Sequence, residues 1–399
     1  MARKLVTFGT EGTVFAADAA PRPTPAAMPR KPAGGPPVLV MEGLRKAGRK
    51  DGPHLLSWME LEVARGEMLS LLGPAGAGKS TAIDLVAGFL QPDAGRLLMG
   101  GEKLERLPPH RRDIGLVSSL PDLFPDLTLL GNVTLPLEAR GVARAEREER
   151  AAAMLERWGV PASLGHEKPG TLPLARQSRV AFARALVHNP ALLLLDDPLR
   201  GLDGEERAAL AADLHRLRRE LGLTILHATR DPSLALTLSD RVAVLDGGRM
   251  RQIGTPRDLY ETPADPVVAA LTGPCNRLPG TVLTIMDGTC RIRLDCGVEV
   301  LGLPVTGPEG SPMAGGRGLL VIRPEQLAVA PLSAVEMGAE VVPARLLEAS
   351  FAGDHTRLRL SIGAGGELIA HRPVGLPLPE IGGDASVAWN LSAARIHAG

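Results

Sequence analysis

The chain has 399 residues, enough for two or three domains, and its 44% apolar and 23% charged content is that of a folded globular chain. Its 45 basic and 45 acidic residues balance, which excludes a net field drawing it to nucleic acid or an anionic surface. No apolar run reaches the roughly 18 residues of a membrane-spanning helix, the first 30 residues lack the apolar core of a secretory leader, and three Cys fit no disulfide framework.

Those observations make the cytosol the expected compartment. Only seven of the 45 basic residues are Lys, so an arginine cluster says little here and a lysine in a special setting says more.

In chain order, residues 17–37 are rich in Ala, Pro and Gly and hold almost no large apolar side chain, so residues 1–37 are expected to form a disordered extension. From Val38 to about Thr272, apolar runs alternate with helical periods, the pattern of an α/β layer architecture. Met68–Leu72 reads as a buried strand that leads into glycines, and Ser80–Leu90 as a helix with Ile83, Val86 and Leu90 on one face. Ala151, Met154, Leu155 and Trp158 mark a second helix, and Leu210, Leu214, Leu217 and Leu221 a third that stops at Gly222. Ala191–Leu195 and Leu223–His227 read as buried parallel strands, and Arg241–Leu245 with Arg249–Ile253 as a hairpin about Asp246-Gly247-Gly248. Beyond Gly273 the helical periods fade. Short alternating runs such as Cys290–Leu294 and Thr356–Leu360 predict an all-β module over 273–399, a small barrel or a pair of them.

One segment carries chemistry. Gly73-Pro74-Ala75-Gly76-Ala77-Gly78-Lys79-Ser80 satisfies the spacing of a phosphate-binding loop and sits between a strand and a helix, as such a loop must. Its glycines let backbone N–H groups curl around phosphate oxygens, and the helix N-terminus adds a positive dipole end. Lys79 reaches the outer phosphates and the Ser80 hydroxyl is a ligand for Mg²⁺. Asp196, which follows four leucines, supplies a carboxylate at the end of a buried strand to hold the same ion. The nine histidines show no ligand spacing; Cys290 and Cys296 read as small buried or edge residues, and Trp58, Trp158 and Trp389 as packing residues.

With those residues in place, residues 38–272 resemble the ATP-binding cassette (ABC) ATPase subunit of bacterial importers, particularly the polyamine, iron and maltose type. The likeness rests on Leu71–Thr81, Leu123–Thr128, Arg179–Leu186, Leu192–Pro198, Leu236–Arg241 and Gly254–Tyr260, all in family order. Residues 273–399 are similar to the family's accessory TOBE (OB-like) domain, on Cys275–Gly280 and Val321–Glu325. The resemblance implies an α/β P-loop NTPase fold with a helical subdomain, and a nucleotide site that extends to Thr81. Its cofactors would be ATP and Mg²⁺. Its partners would be a second ATPase subunit in a head-to-tail pair, transmembrane permease subunits and, indirectly, a solute-binding protein, with no nucleic acid. The chain would then sit on the inner face of the cell membrane through its permease.

The same alignment exposes departures. The signature Leu-Ser-Gly-Gly-Gln falls on Leu172-Pro173-Leu174-Ala175-Arg176, where Pro173 offers neither N–H nor hydroxyl and Leu174 is bulky. The helix behind it is expected from about Arg176. Three positions that the family uses in catalysis hold Ser119 for the lid-loop glutamine, Asp197 for the glutamate and Arg230 for the switch histidine. The adenine-stacking aromatic falls near Ala47-Gly48, and neither residue stacks. Two readings follow. One is an ATPase subunit that couples hydrolysis to import, possible solutes being spermidine- or putrescine-like; the other is a catalytically impaired subunit that regulates an active ABC ATPase or pairs asymmetrically with one.

Overall fold

A computed structural model describes residues 35–48, 55–331 and 341–399, with the backbone of two paired strands, β1 (Leu5–Val6) and β2 (Phe15–Ala16). The expected disordered extension over 1–37 lies almost wholly outside the described residues. The chain divides into two compact units, one ending at Arg257 and one beginning at Asp258.

The first unit is built on a ten-stranded sheet. Its antiparallel part is β3 (Leu39–Lys46), β4 (Leu56–Val63), β6 (Ala94–Met99) and β7 (Glu102–Lys103). Its mostly parallel part is β5 (Met68–Leu72), β8 (Ile114–Val117), β9 (Leu192–Asp196), β10 (Ile225–Thr229) and the hairpin β11 (Arg241–Asp246) and β12 (Arg249–Gly254). The strand order is β7-β6-β3-β4-β12-β11-β5-β10-β9-β8. All five residues of β5 are buried between its two parallel neighbours, four of them apolar and the fifth, Ser70, with its hydroxyl hydrogen-bonded. The expected hairpin is present, with Gly247 and Gly248 both at positive φ (54° and 74°) in its turn.

Helices cover both faces of this sheet. One core gathers Ile83 and Val86 of α1 (Lys79–Ala87) against Leu71, Leu194 and Leu226. The other joins α2 (Leu129–Glu138), α3 (Arg144–Arg157), α4 (Leu174–Leu186) and α5 (Gly204–Leu221) to the opposite face. Buried Trp158 closes α3 and stacks on Phe182 of α4 with ring centroids 4.5 Å apart, which makes it the packing residue its spacing predicted.

Three element boundaries differ from expectation. The helix α1 stops at Ala87 because Gly88 turns left-handed (φ 91°) and returns its N–H to Asp84, so Leu90 is off the helix. Leu223 returns its N–H to Arg218 beyond the Gly222 cap, which delays β10 to Ile225. The helix α4 begins at Leu174, two residues early, with Pro173 as its N-cap.

In the second unit α7 (Pro256–Glu261) runs in from the boundary, followed by α8 (Pro266–Thr272) and an all-β assembly. Strands β13 (Asn276–Met286), β14 (Thr289–Leu294), β15 (Glu299–Pro304), β22 (Arg395–Ala398) and β16 (Arg317–Ile322) close a barrel. A five-stranded sheet of β17 (Ala328–Pro331), β21 (Asp384–Ala388), β18 (Val342–Phe351), β19 (His355–Ile362) and β20 (Gly366–Pro373) shares its core, which includes buried Cys290 and Cys296. Buried Arg323 ties the helices to the barrel. It donates to the carbonyls of Ala269, Gly273, Pro274 and Tyr260 at 2.8–3.2 Å and to the Thr272 hydroxyl at 2.8 Å, with its guanidinium 4.0 Å from the Tyr260 ring centre.

Candidate nucleotide site

The glycine loop connects β5 to α1 as the motif demands. Its shape depends on residues that only glycine can fill. A Cβ at Gly73 would lie 2.2 Å from the Leu245 carbonyl oxygen, and Gly78 sits at φ 98° as the α1 N-cap. Lys79, the first residue of α1, folds back and donates to the carbonyls of Gly73 at 2.7 Å and Pro74 at 2.8 Å. Burial, and then the nearby Arg230 guanidinium, push its ammonium below the usual lysine range, against the pull of Asp197 and Asp196.

Strand order supplies the rest of the site. Because β10 lies between β5 and β9, the end of β9 stands beside the start of α1. There the Ser80 hydroxyl donates to Asp196 Oδ1 at 3.1 Å. Burial raises the Asp196 carboxyl, offset in part by the Ser80 hydrogen bond. Asp197 follows in left-handed backbone (φ 53°), its N–H bonded to Ala228 at 2.8 Å and its Oδ1 facing the Thr229 hydroxyl at 3.4 Å. Such a conformation is uncommon outside glycine.

These groups surround a cleft of about 160 Å³. Gly76, Ala77, Gly78, Lys79, Ser80 and Thr81 line it together with Ser119, Asp196, Asp197 and Arg230. Gly73 and Pro74 stand behind the cleft as the anchors of Lys79. Ala75 is exposed at the loop's turn and is not among the lining residues. Two lining residues escaped the sequence reading, Leu55 and Arg200. Arg200 had a signal, since it lies three residues past Asp197, but the chain's arginine bias hid it. A larger hollow of about 480 Å³, lined in part by Glu42, Glu60 and Glu62, contains none of the predicted site residues.

Oxygen donors fit the ion the motif implies. Mg²⁺ prefers one or two protein oxygens together with phosphate and water, and the Ser80–Asp196 pair offers that set. Among the described residues, no group of three or more His, Cys, Asp or Glu could hold a metal by itself.

The loop that starts at Ser119 is fastened to the helices. Arg184 of α4 donates to the carbonyls of Asp122 and Pro121, and buried Asn132 of α2 exchanges hydrogen bonds with the backbone of Phe124. Segment Leu172–Arg176 is not among the residues lining this cleft. Its Pro173 caps α4 without a side-chain hydrogen bond. Ala47 is held by Asp93 at 2.6 Å and presents no ring.

The family profile described as ABC transporter matches residues 56–200, and the TOBE domain profile matches residues 320–396. The chain is 38% identical over 342 residues to the spermidine/putrescine import ATP-binding protein PotA of Frankia alni, covering 84% of this chain and 73% of that one. It is 34% identical over 321 residues to the Fe(3+) ions import ATP-binding protein FbpC of Rhizobium etli, covering 80% and 87%. Among solved structures, cbiO1 of Clostridium perfringens, part of the ABC transporter complex cbiONQ, superposes with a TM-score of 0.52 at 29% identity, covering 57% of this chain and 91% of that one. The ATP-binding cassette MJ0796, a dimer in a post-hydrolysis state with ADP and Pi, gives 0.51 at 28%, covering 55% and 99%.

Proposed function

The chain belongs to the ABC transporter family of import ATP-binding proteins, and from that premise we propose that it binds ATP with Mg²⁺ on loop 73–80 and couples ATP turnover to uptake of a small cationic solute. The observation that carries the reading is the Ser80–Asp196 contact at 3.1 Å, beside a lysine folded over its own loop. Backbone N–H groups of Gly76–Thr81 would take the phosphate oxygens, and Lys79 would exchange its two carbonyls for the outer phosphates. Ser80 and Asp196 would hold Mg²⁺, which when bound neutralises phosphate charge and orients the reacting oxygens. Asp197 would accept a proton from the attacking water, and Arg230 lines the same cleft.

The solute class is taken from the relatives, which are named for polyamine and ferric-ion import. A second identical or related ATPase subunit and membrane permease subunits complete the proposed assembly. That would place the chain at the cytoplasmic face of the membrane; among the described residues no helix is long and apolar enough to cross one. Calorimetry with ATP and Mg²⁺ tests the site. Uptake that Lys79→Ala abolishes supports it, and heat that survives Lys79→Ala refutes it.

A second reading, slow turnover when two copies of this chain pair, is argued from the residues at the start of α4. Pro173 there has no hydroxyl or N–H to give a phosphate reaching it from a partner copy, and Leu174 turns toward the helical core. Steady-state hydrolysis by the purified homodimer separates the readings. Turnover at or above about 1 s⁻¹, the low end of ordinary enzymes, would dismiss the slow-turnover reading.

A further inference from the structure

Charges around the cleft have different occupations. The Lys79 ammonium bonds two carbonyls, Asp196 accepts from Ser80, and Asp197 faces Thr229. Arg200 and Arg230 line the same cleft, are exposed, and neither guanidinium has a hydrogen bond or ion pair to a protein group among the described residues. Some arginines of the unit are engaged, Arg112 on the carbonyls of Leu85 and Val86, Arg179 on Asp213 and Arg184 on the loop after Ser119, while others such as Arg96 and Arg176 stand in solvent away from the cleft. What sets Arg200 and Arg230 apart is position: they are the unengaged planar forks that line the phosphate-binding loop's cleft.

Both are fixed in place by their backbones. Arg200 follows a turn in which its N–H returns to the Asp197 carbonyl at 3.1 Å. Arg230 sits between Thr229, which ends β10, and Asp231, whose side chain caps α6 (Pro232–Leu238). Without the two arginines the cleft would hold one cation and two carboxylates, a net charge of −1 facing a triphosphate of about −4; with them the net is +1. A guanidinium fork bridges neighbouring phosphate oxygens in two parallel hydrogen bonds, which is the bridging that a divalent ion otherwise provides.

We propose that Arg200 and Arg230 form a second phosphate clamp, in the same chain as the glycine loop, that lets this site hold a nucleoside triphosphate without a divalent ion. The inference rests on the nucleotide reading of the cleft and deepens it. It makes the two arginines specificity-determining residues: they set which ionic form of the nucleotide the resting site accepts. Metal-free triphosphate then occupies the cleft while Ser80 and Asp196 remain paired with each other.

The experiment is calorimetric titration of the full chain with ATP, once in EDTA and once in excess Mg²⁺, for the wild type, Arg200→Ser/Arg230→Gln and Lys79→Ala. The readout is the ratio of the two dissociation constants. For the wild type the EDTA value lies within about tenfold of the Mg²⁺ value, and the double variant raises that ratio by about 2- to 30-fold, the size expected of two exposed charge–phosphate contacts. Both arginines are exposed, so the double variant should fold, and a thermal melt matched to the wild type checks it. Arg200→Lys/Arg230→Lys, which keeps the charge, retains part of the metal independence. A ratio unchanged by the double variant overturns the clamp while leaving the nucleotide site intact. Absence of ATP binding by the wild type in both media overturns the nucleotide reading and the clamp together.

Discussion

A single methyl group at residue 78 tests whether the loop geometry is what binds phosphate. Gly78 and Gly76 both occupy left-handed backbone, at φ 98° and 76°. Alanine at either therefore carries a similar conformational cost of about 1–2 kcal/mol. Their surroundings differ. A Cβ at Gly76 meets nothing within 4 Å, whereas one at Gly78 falls 2.5 Å from the Leu55 carbonyl oxygen and 2.7 Å from Leu56 Cδ2. Leu55 cannot retreat freely, because its N–H is bonded to Lys46 at 2.9 Å and the following Ser57 N–H to Gly248 at 2.8 Å. To restore an ordinary contact of 3.4 Å the loop itself must shift by about 0.9 Å, enough to misalign its N–H donors. Losing one charge-assisted hydrogen bond to phosphate costs about 1.5–3 kcal/mol, or roughly 10- to 150-fold in affinity. Titration of ATP–Mg²⁺ should show Gly78→Ala weakened by about that factor and Gly76→Ala by far less, with melting temperatures reported beside them. Equal affinities for the two variants would refute the steric argument and, with it, the description of the cradle.

Further outcomes follow from other residues. The double variant Ser119→Gln/Arg230→His should raise steady-state turnover of the homodimer by about tenfold or more, since catalytic groups placed about 1 Å off cost roughly a hundredfold; unchanged phosphate release would clear those two residues of slowing the chain. Arg323→Met should destabilise the unit from Asp258 onward by about 3–5 kcal/mol, because buried carbonyls lose their donor; denaturant titration checks it, and Arg323→Lys should recover part of the loss. Buried His227, whose Nδ1 pairs with the Ser70 hydroxyl at 2.9 Å, has its imidazolium pushed down to about 4 by burial. The unfolded chain binds that proton first, so stability should fall as pH drops from about 6.5 towards 4, by up to about 3 kcal/mol from this group. Melts of His227→Gln should show a shallower acid limb, and an identical limb would contradict the assignment.

Much of this protein was legible in its residue order. The glycine spacing at 73–80, the apolar run before it and the helical period after it fix a local geometry, because φ freedom and strand-to-helix chain direction are properties of a few neighbouring residues. Gly222 as a helix stop and the Asp246-Gly247-Gly248 turn were readable for the same reason. The closed barrel and its companion sheet were foreseen only as an all-β region, since alternation reports which face is buried and not which strand is the neighbour.

Contacts between distant segments were decided by the tertiary structure. Ser80 and Asp196 are 116 residues apart, and they meet because β10, which comes later in the chain, is inserted between β5 and β9. Arg200 enters the cleft through a turn that follows β9, and its closeness to Asp197 in the chain did not distinguish it from the many other arginines. The start of α4 at Leu174 was set by Pro173, whose fixed φ and missing N–H suit a helix entry once packing against the core holds the helix there. Residue identity determines what each segment can do locally; strand order and register determine which of those capacities are brought within hydrogen-bonding reach of one another.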